Sequence, residues 1–263
     1  MHNNNYLKLI FLISKVLINI YFIGGVILNF SYKLGIDIGS TTIKLVVLDK
    51  DNQVVYKKYM RHLSEIYKSM HDNMILLSDT LKNHKFTCAI TGSAGMGMAN
   101  NLNMPFIQEV IACSKAVKNW IPQTDVAVEL GGEDAKITYF GSAPEQRMNG
   151  VCAGGTGSFI DHMASLLNTD AMGLNELAQK GTQIYTIASR CGVFAKTDVQ
   201  ALLNDGVSKA DIAISILQAV VNQTIGNLAQ GRPLEGNIAF LGGPLYFLTQ
   251  LKERFIKTLK LTD

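Results

Sequence analysis

The chain has 263 residues, is 48% hydrophobic and carries a formal net charge of +3. That is enough apolar material for one large domain or two small lobes, and with only 17% charged residues wholesale disorder is excluded. No run of lysine or arginine stands out, so nucleic-acid binding has no electrostatic support.

The N-terminus is almost continuously apolar from Tyr6 to Phe30. Its longest clean run, Val16–Phe30, falls short of the ~20 residues of a membrane span. No small-residue cleavage site precedes Tyr32. Residues 1–32 are therefore expected to be an extension outside the working domain. A signal anchor and a packed extra helix are the alternatives, and a membrane partner is expected only in the first of these. The globular pattern begins at Lys33.

From there Leu34–Ile38, Ile43–Leu48 and Val54–Tyr59 read as a three-strand meander joined by turns at Gly39–Thr42 and Asp49–Asn52. His62–Asn83 has helical spacing, with Ile66, Met70, Met74 and Leu77 on one face. Phe86–Ile90 is a strand, Thr91–Gly97 a glycine-rich loop and Glu109–Trp120 a helix. The series then restarts. Val126–Leu130 and Ala135–Phe140 are strands around a turn at Gly131–Asp134. Helices follow at Gly157–Leu167, Ala195–Leu203 and Asp211–Ala229. Asn237–Leu241 is a strand, and a last helix runs to about Leu259. Two strand–turn–strand units opening two halves predict a duplicated α/β fold, with lobes 33–122 and 123–263 and a boundary near Ile121–Thr124.

Asp37-Ile38-Gly39-Ser40-Thr41-Thr42-Ile43-Lys44 joins two strands by a tight turn. Glycine there is expected to allow positive φ and close approach of an anion. The amides of Gly39, Ser40 and Thr41 are expected to cradle phosphate oxygens, with the hydroxyls as further donors. Asp37 is placed to hold water on Mg²⁺. Glu129-Leu130-Gly131-Gly132-Glu133-Asp134-Ala135-Lys136 repeats the pattern of acid, glycine turn and lysine. One such turn alone reads first as an ordinary hairpin; two, at matching places, predict a clamp on one triphosphate. Phe240-Leu241-Gly242-Gly243-Pro244 is a glycine pair against which an adenine or ribose could lie, or a plain strand-to-helix turn. A Walker-type loop is excluded because G-x-x-x-x-G-K-[ST] is missing. Gly92–Gly97 lacks the acidic partner of a dinucleotide site.

Of four cysteines, Cys88, Cys113, Cys152 and Cys191, none forms a C-x-x-C pair. The pattern is that of a reducing, cytoplasmic compartment rather than a secreted disulfide framework. Cys88 and Cys113 read as core residues. Cys152, in Asn149–Phe159, and Cys191, in Ser189–Asp198, each precede a helix start. There about half a positive charge favours the thiolate that binds metal. A 4Fe–4S cluster usually needs four such ligands, which a two-fold dimer supplies from two per chain. Buried thiols and a redox disulfide are the other readings.

The segments I-D-I-G-S-T-T-I-K, E-L-G-G-E-D-A-K, N-G-V-C-A-G-G-T-G-S-F and R-C-G-V-F-A-K-T-D, in that order, resemble the ATPase activators of 2-hydroxyacyl-CoA dehydratases. The ATPase subunits of benzoyl-CoA reductase belong to the same family. The resemblance runs from Lys33 to the C-terminus. It implies an actin-like ATPase fold of duplicated lobes, shared with sugar kinases and chaperone ATPases. It implies a homodimer bridged by one 4Fe–4S cluster, with Cys152 and Cys191 as ligands.

For the nucleotide, Mg-ATP, the resemblance implies two phosphate motifs. Asp37, Gly39, Ser40, Thr41, Thr42 and Lys44 form the first. Glu129, Gly131, Gly132, Asp134 and Lys136 form the second. Asp37, Glu129 and Asp134 are the acidic catalytic candidates. Gly154, Gly155, Thr156 and Gly157 are expected on the phosphate side and Gly242 and Gly243 on the adenosine side. The implied activity is ATP-driven delivery of a low-potential electron to a dehydratase or reductase, with ferredoxin or flavodoxin as donor. Two departures stand out: the apolar extension, and an end at Asp263 that comes early. The second predicts a shortened last lobe, and the wording of the cysteine loop matches the first ATPase unit of larger fused activases. The rival readings are a small-molecule kinase of the same fold, for which Asp161 and Asp198 are weak base candidates, and a nucleotide-binding assembly module.

Overall fold

The computed structural model describes residues 32–81, 86–149, 154–188 and 191–261. The apolar extension through residue 31, Cys152 with its neighbours 150–153, and residues 189–190 lie outside the described residues. Two compact units meet in sequence between Pro122 and Gln123.

The first unit opens with β1 (Tyr32–Ile38), β2 (Thr42–Asp49) and β3 (Val54–Arg61), an antiparallel meander. Tyr32, assigned by sequence to the extension, is the first residue of β1 and pairs with Asp49 and Phe86. Helix α1 (Ile66–Leu81) leads to β4 (Phe86–Thr91), which lies parallel to β1 and completes the order β3-β2-β1-β4. Helices α2 (Gly95–Asn101) and α3 (Glu109–Trp120) follow.

Residues 34–38 of β1 are all buried, so this strand is covered on both faces. Ile36, Ile38, Ile43, Leu45, Met70, Leu77 and Ile90 form its core. The helical face predicted from spacing is the buried one: Met70 and Leu77 are in the core, with Ile66 and Met74 against it. The outer strand β3 is largely exposed and carries Lys57, Lys58 and Arg61, charges that discourage pairing with another sheet.

The second unit repeats the arrangement. Strands β5 (Val126–Leu130), β6 (Ala135–Tyr139) and β7 (Glu145–Met148) form a meander, and β8 (Ile238–Leu241) lies parallel to β5, giving β7-β6-β5-β8. Between β7 and β8 come α4 (Gly157–Leu166), α5 (Ala171–Ala178), α6 (Gly192–Asn204) and α7 (Lys209–Thr224). A π-helical turn, Ile225–Ala229, extends α7. Helices α8 (Gly243–Phe247) and α9 (Thr249–Leu259) close the described chain, so the single last helix read from sequence is two.

Helix α7 is the centre of this unit. Ile212, Ala213, Ile216, Leu217, Val220 and Val221 are buried among β5, β6, α4 and α9 side chains such as Val128, Ile137, Ile160 and Phe255. The stretch Lys209–Ala229 is long and apolar enough to cross a membrane, but most of it is buried within this unit, as a core helix is. Its start is capped by Ser208, whose Oγ accepts the Asp211 amide and donates to Asp211 Oδ2 at 2.7 Å. Asp211 Oδ1 in turn accepts the amides of Thr182 and Gln183, and these bonds hold its carboxyl down at about 2. At the other end Arg147 donates to the carbonyls of Leu228 and Ala229, the latter also accepting the Arg232 amide.

Candidate functional site

Both turns are two-residue hairpins built the same way. Asp37 pairs across the ladder with Lys44, and Glu129 with Lys136. The Gly39 amide donates to Thr42 O at 2.9 Å, and the Gly131 amide to Asp134 O at 2.7 Å. This corrects the three-amide cradle expected from sequence: Gly39 closes the hairpin, leaving Ser40 and Thr41 at the tip. Among the described residues nothing accepts the amides of Ser40 and Thr41, or those of Gly132 and Glu133. Nor do Gly39, Gly131 or Gly132 have positive φ. Glycine is required at 131 for room instead, since a Cβ there would overlap Asp134 Oδ1.

The lysines are used differently. Lys44 Nζ donates to Asp37 Oδ2 at 3.0 Å, and the Asp37 side chain is 3% exposed. Lys136 Nζ, buried, meets Asp134 Oδ2 at 2.6 Å, on the turn itself. Glu129 is also buried. Thr42 begins β2 and is buried.

The loop after β4 closes against the first turn. Gly92 has φ 96°, and a Cβ there would overlap Ile38 O and Asp37 Oδ1. Gly242 stands at the matching place after β8, with φ 92°, and a Cβ would overlap Leu130 O. Gly242 and Gly243 thus bring the start of α8 onto the end of β5.

Several predicted residues of the second unit come together. Gly157 N–H donates to Gly131 O at 2.9 Å, and Ser158 N–H to Gly132 O at 2.8 Å. A Cβ on Gly157 would lie 3.2 Å from Gly131 O and 3.4 Å from Pro244. The second turn, the start of α4 and the glycine pair are therefore one contiguous structure. Thr156, fully buried, is the N-cap residue of α4. Gly154 and Gly155 pack on Gln223 of α7, and a Cβ on Gly154 would overlap its amide.

Cys191 is the N-cap residue of α6, partly exposed, and its thiol makes no capping hydrogen bond. The next residue, Gly192, approaches Phe159 of α4. Val193 and Phe194, on the first turn of α6, are 71% and 66% exposed. Cys88 and Cys113 differ. Cys113 is buried in α3, and burial pushes the Cys88 thiol up to about 12, which keeps it protonated. Among the described residues no group of three or more His, Cys, Asp and Glu converges on a metal position.

A model of the BadF/BadG/BcrA/BcrD ATPase family matches residues 34–260. The chain belongs to that family. It is 29% identical to the (R)-2-hydroxyglutaryl-CoA dehydratase activating ATPase of Acidaminococcus fermentans over 225 residues, 81% of this chain and 82% of that one. Its structure resembles the crystal structure of the Acidaminococcus fermentans (R)-2-hydroxyglutaryl-CoA dehydratase component A, with TM-score 0.78, 25% identity and coverage of 88% and 90%. It also resembles the ADPNP-bound activator of 2-hydroxyisocaproyl-CoA dehydratase from Clostridium difficile, with TM-score 0.71, 23% identity and coverage of 87% and 86%. The fold is thus the actin-like ATPase fold.

Within this family member three residues near the turns gave no signal in the sequence. His62 is buried, with Nε2 donating to Gly39 O at 3.1 Å and Nδ1 accepting the Ser64 amide at 3.1 Å. Its own amide donates to Thr41 O. These bonds tie β3 to the first turn and delay α1 to Ile66, with Leu63 and Ser64 at positive φ. Gln223 supports Gly154 and Gly155. Thr91 ends β4 beside Asp37.

Proposed function

We propose that this chain is an ATP-dependent activator. In this reading it hydrolyses ATP to deliver a low-potential electron to a 2-hydroxyacyl-CoA dehydratase or a related reductase. The electron comes from a 4Fe–4S cluster held between two copies by Cys152 and Cys191 of each. The observation that carries the reading is the pair of hydrogen bonds from Gly157 and Ser158 to Gly131 and Gly132. A phosphate turn is thereby joined directly to the helix that follows the Cys152 loop.

Chemically, the donor set fits. The amides at each hairpin tip and Lys44 and Lys136 suit phosphate oxygens. Asp37, buried and acidic, suits water on Mg²⁺. Cys191 lies at a helix start whose dipole favours an anionic cluster. The cluster would supply storage and release of one electron. The exposed Val193 and Phe194 beside Cys191 suit an interface with a second copy. ATP binding at the turn would pull on Gly157 and Ser158, and α4 would carry α6 with it through Phe159 and Gly192. Ferredoxin or flavodoxin is the proposed donor, and a reducing, cytoplasmic compartment suits free thiols.

A kinase of the same fold needs a carboxylate free to act as base. Asp198 instead accepts the Ala188 amide at 2.7 Å. The test is anaerobic reconstitution with iron and sulfide. The expected result is a brown protein with about four irons per two chains, reduced to background by either Cys152→Ala or Cys191→Ala. Iron lost in one variant and unchanged in the other would sink the shared-ligand model. A colourless protein that phosphorylates a sugar would favour the kinase, and one without ATP turnover an assembly module.

A further inference from the structure

Thr91 is 1% exposed, and its hydroxyl has no hydrogen-bond partner among the described residues. An unpaired buried hydroxyl costs stability, so its retention calls for a reason. The matching position in the second unit supplies the contrast. In register, Thr91 pairs with Asp37 and Leu241 pairs with Glu129, each on the parallel strand beside the acid. Each is followed by a glycine at positive φ, Gly92 and Gly242. The fold therefore accepts an apolar side chain at this place, and the hydroxyl of Thr91 is not needed to build it.

The surroundings of Thr91 indicate what the hydroxyl meets. Residues paired in register on neighbouring strands project on the same face, so Thr91 and Asp37 lie side by side. Asp37 Oδ2 is engaged by Lys44. Asp37 Oδ1 lies against Gly92, at a place a Cβ would overlap. A carboxylate oxygen and a lone hydroxyl thus share a corner at the end of β1 and β4, beside the hairpin tip with its open amides.

We propose that Thr91 is a positioning residue for the metal–nucleotide complex, its hydroxyl accepting a hydrogen bond from a water on the divalent cation that Asp37 also holds. This rests on the nucleotide reading of the first turn and adds a residue to it. The hydroxyl acts through water, because protein-bound Mg²⁺ dehydrates reluctantly and keeps several of its waters.

The test compares wild type with Thr91→Val, which keeps the shape without the hydroxyl, and Thr91→Ser, which keeps the hydroxyl. Three quantities are read in the full chain: melting temperature without ligand, affinity for a fluorescent ADP analogue in EDTA, and the Mg²⁺ concentration that half-saturates the Mg²⁺-dependent gain in that affinity. Thr91→Val is expected to melt at or above the wild-type temperature and to bind the Mg²⁺-free nucleotide equally well. It should need about fivefold more Mg²⁺, the loss of one hydrogen bond. Thr91→Ser should stay within about twofold of wild type on all three. A wild-type Mg²⁺ titration in Thr91→Val overturns the inference. So does a lowered melting temperature with affinity lost equally in EDTA, which marks a packing role. Wild type that gains no nucleotide affinity from Mg²⁺ overturns both this inference and the nucleotide reading beneath it.

Discussion

The two units share a sheet topology, a hairpin turn and a positive-φ glycine, yet they use them differently. In the first, the lysine of the turn is held by the strand acid, Lys44 on Asp37. In the second, Lys136 is held by the turn acid, Asp134. The first turn is braced from outside by His62, the residue after β3. The second is braced by the start of α4, through Gly157 and Ser158. The same hairpin thus engages the residue after a strand in one unit and the start of a helix in the other. The difference lies in which element its carbonyls engage, not in the turn itself.

The comparison can be broken at its shared glycines. Gly92→Ala and Gly242→Ala each add a Cβ at φ above 90° that overlaps the carbonyl of the strand beside it. The backbone conformation alone costs about 1–3 kcal/mol, and the overlap adds to that. Urea unfolding should place both variants well below wild type, with the larger loss at Gly242, where the overlap is with main chain alone. A variant as stable as wild type would mean that the two loops are not built alike.

A smaller effect separates the turns. A Cβ at Gly39 meets nothing closer than 3.4 Å, whereas one at Gly131 overlaps the Asp134 carboxylate. Gly39→Ala should shift stability by no more than about 0.5 kcal/mol. Gly131→Ala must displace the Asp134 carboxylate, whose other oxygen pairs with Lys136. Its unfolding midpoint should fall clearly further, and equal midpoints would contradict the assigned geometry.

The smallest effect is acid-dependent and belongs to the second unit alone. Asp211 is held at about 2, down from 3.8, by its hydrogen bonds to Gln183, Ser208 and Thr182. A depressed carboxyl contributes stability above its unfolded value that is lost as pH falls through the folded one. Wild type should therefore lose melting temperature between about pH 4 and pH 2 more steeply than Asp211→Asn. Parallel curves would remove this bond network from the account.

Much of the fold was legible in the sequence because its strands are apolar runs bounded by glycine and charge. Residues 34–38 and 126–130 are buried on both faces, and such strands announce themselves by composition. Strand β7 was missed because Glu145–Met148 is a short, polar edge strand whose ladder bonds carry no hydrophobic signal. Helix α5 was missed although Asp170 caps it, its amide partner being Gly173 in a segment of modest length. The end of α7 looked like continuous helix, and only its carbonyls, engaged by Arg147, reveal the wider π turn. At the two turns, the matching order of acid, glycine and lysine was legible as spacing, and the ladder pairs Asp37 with Lys44 and Glu129 with Lys136. Which acid Lys136 takes was not legible, because its motif offers both Glu129, its partner across the ladder, and Asp134 on the turn, where the first turn has Thr42. His62 and Thr91 were invisible for a further reason: each acts across strands, through register that the local sequence does not state.

The proposed link from turn to helix to cysteine loop is tested most directly by iron release. Reconstituted protein is mixed anaerobically with a chromogenic iron chelator, with and without Mg-ATP. Coupling between two sites of one protein typically reaches 5–150-fold. If nucleotide at the turns moves α4 and α6, Mg-ATP should change the rate of iron loss by about tenfold or more. An identical rate with and without Mg-ATP, in protein shown to bind the nucleotide, would contradict it.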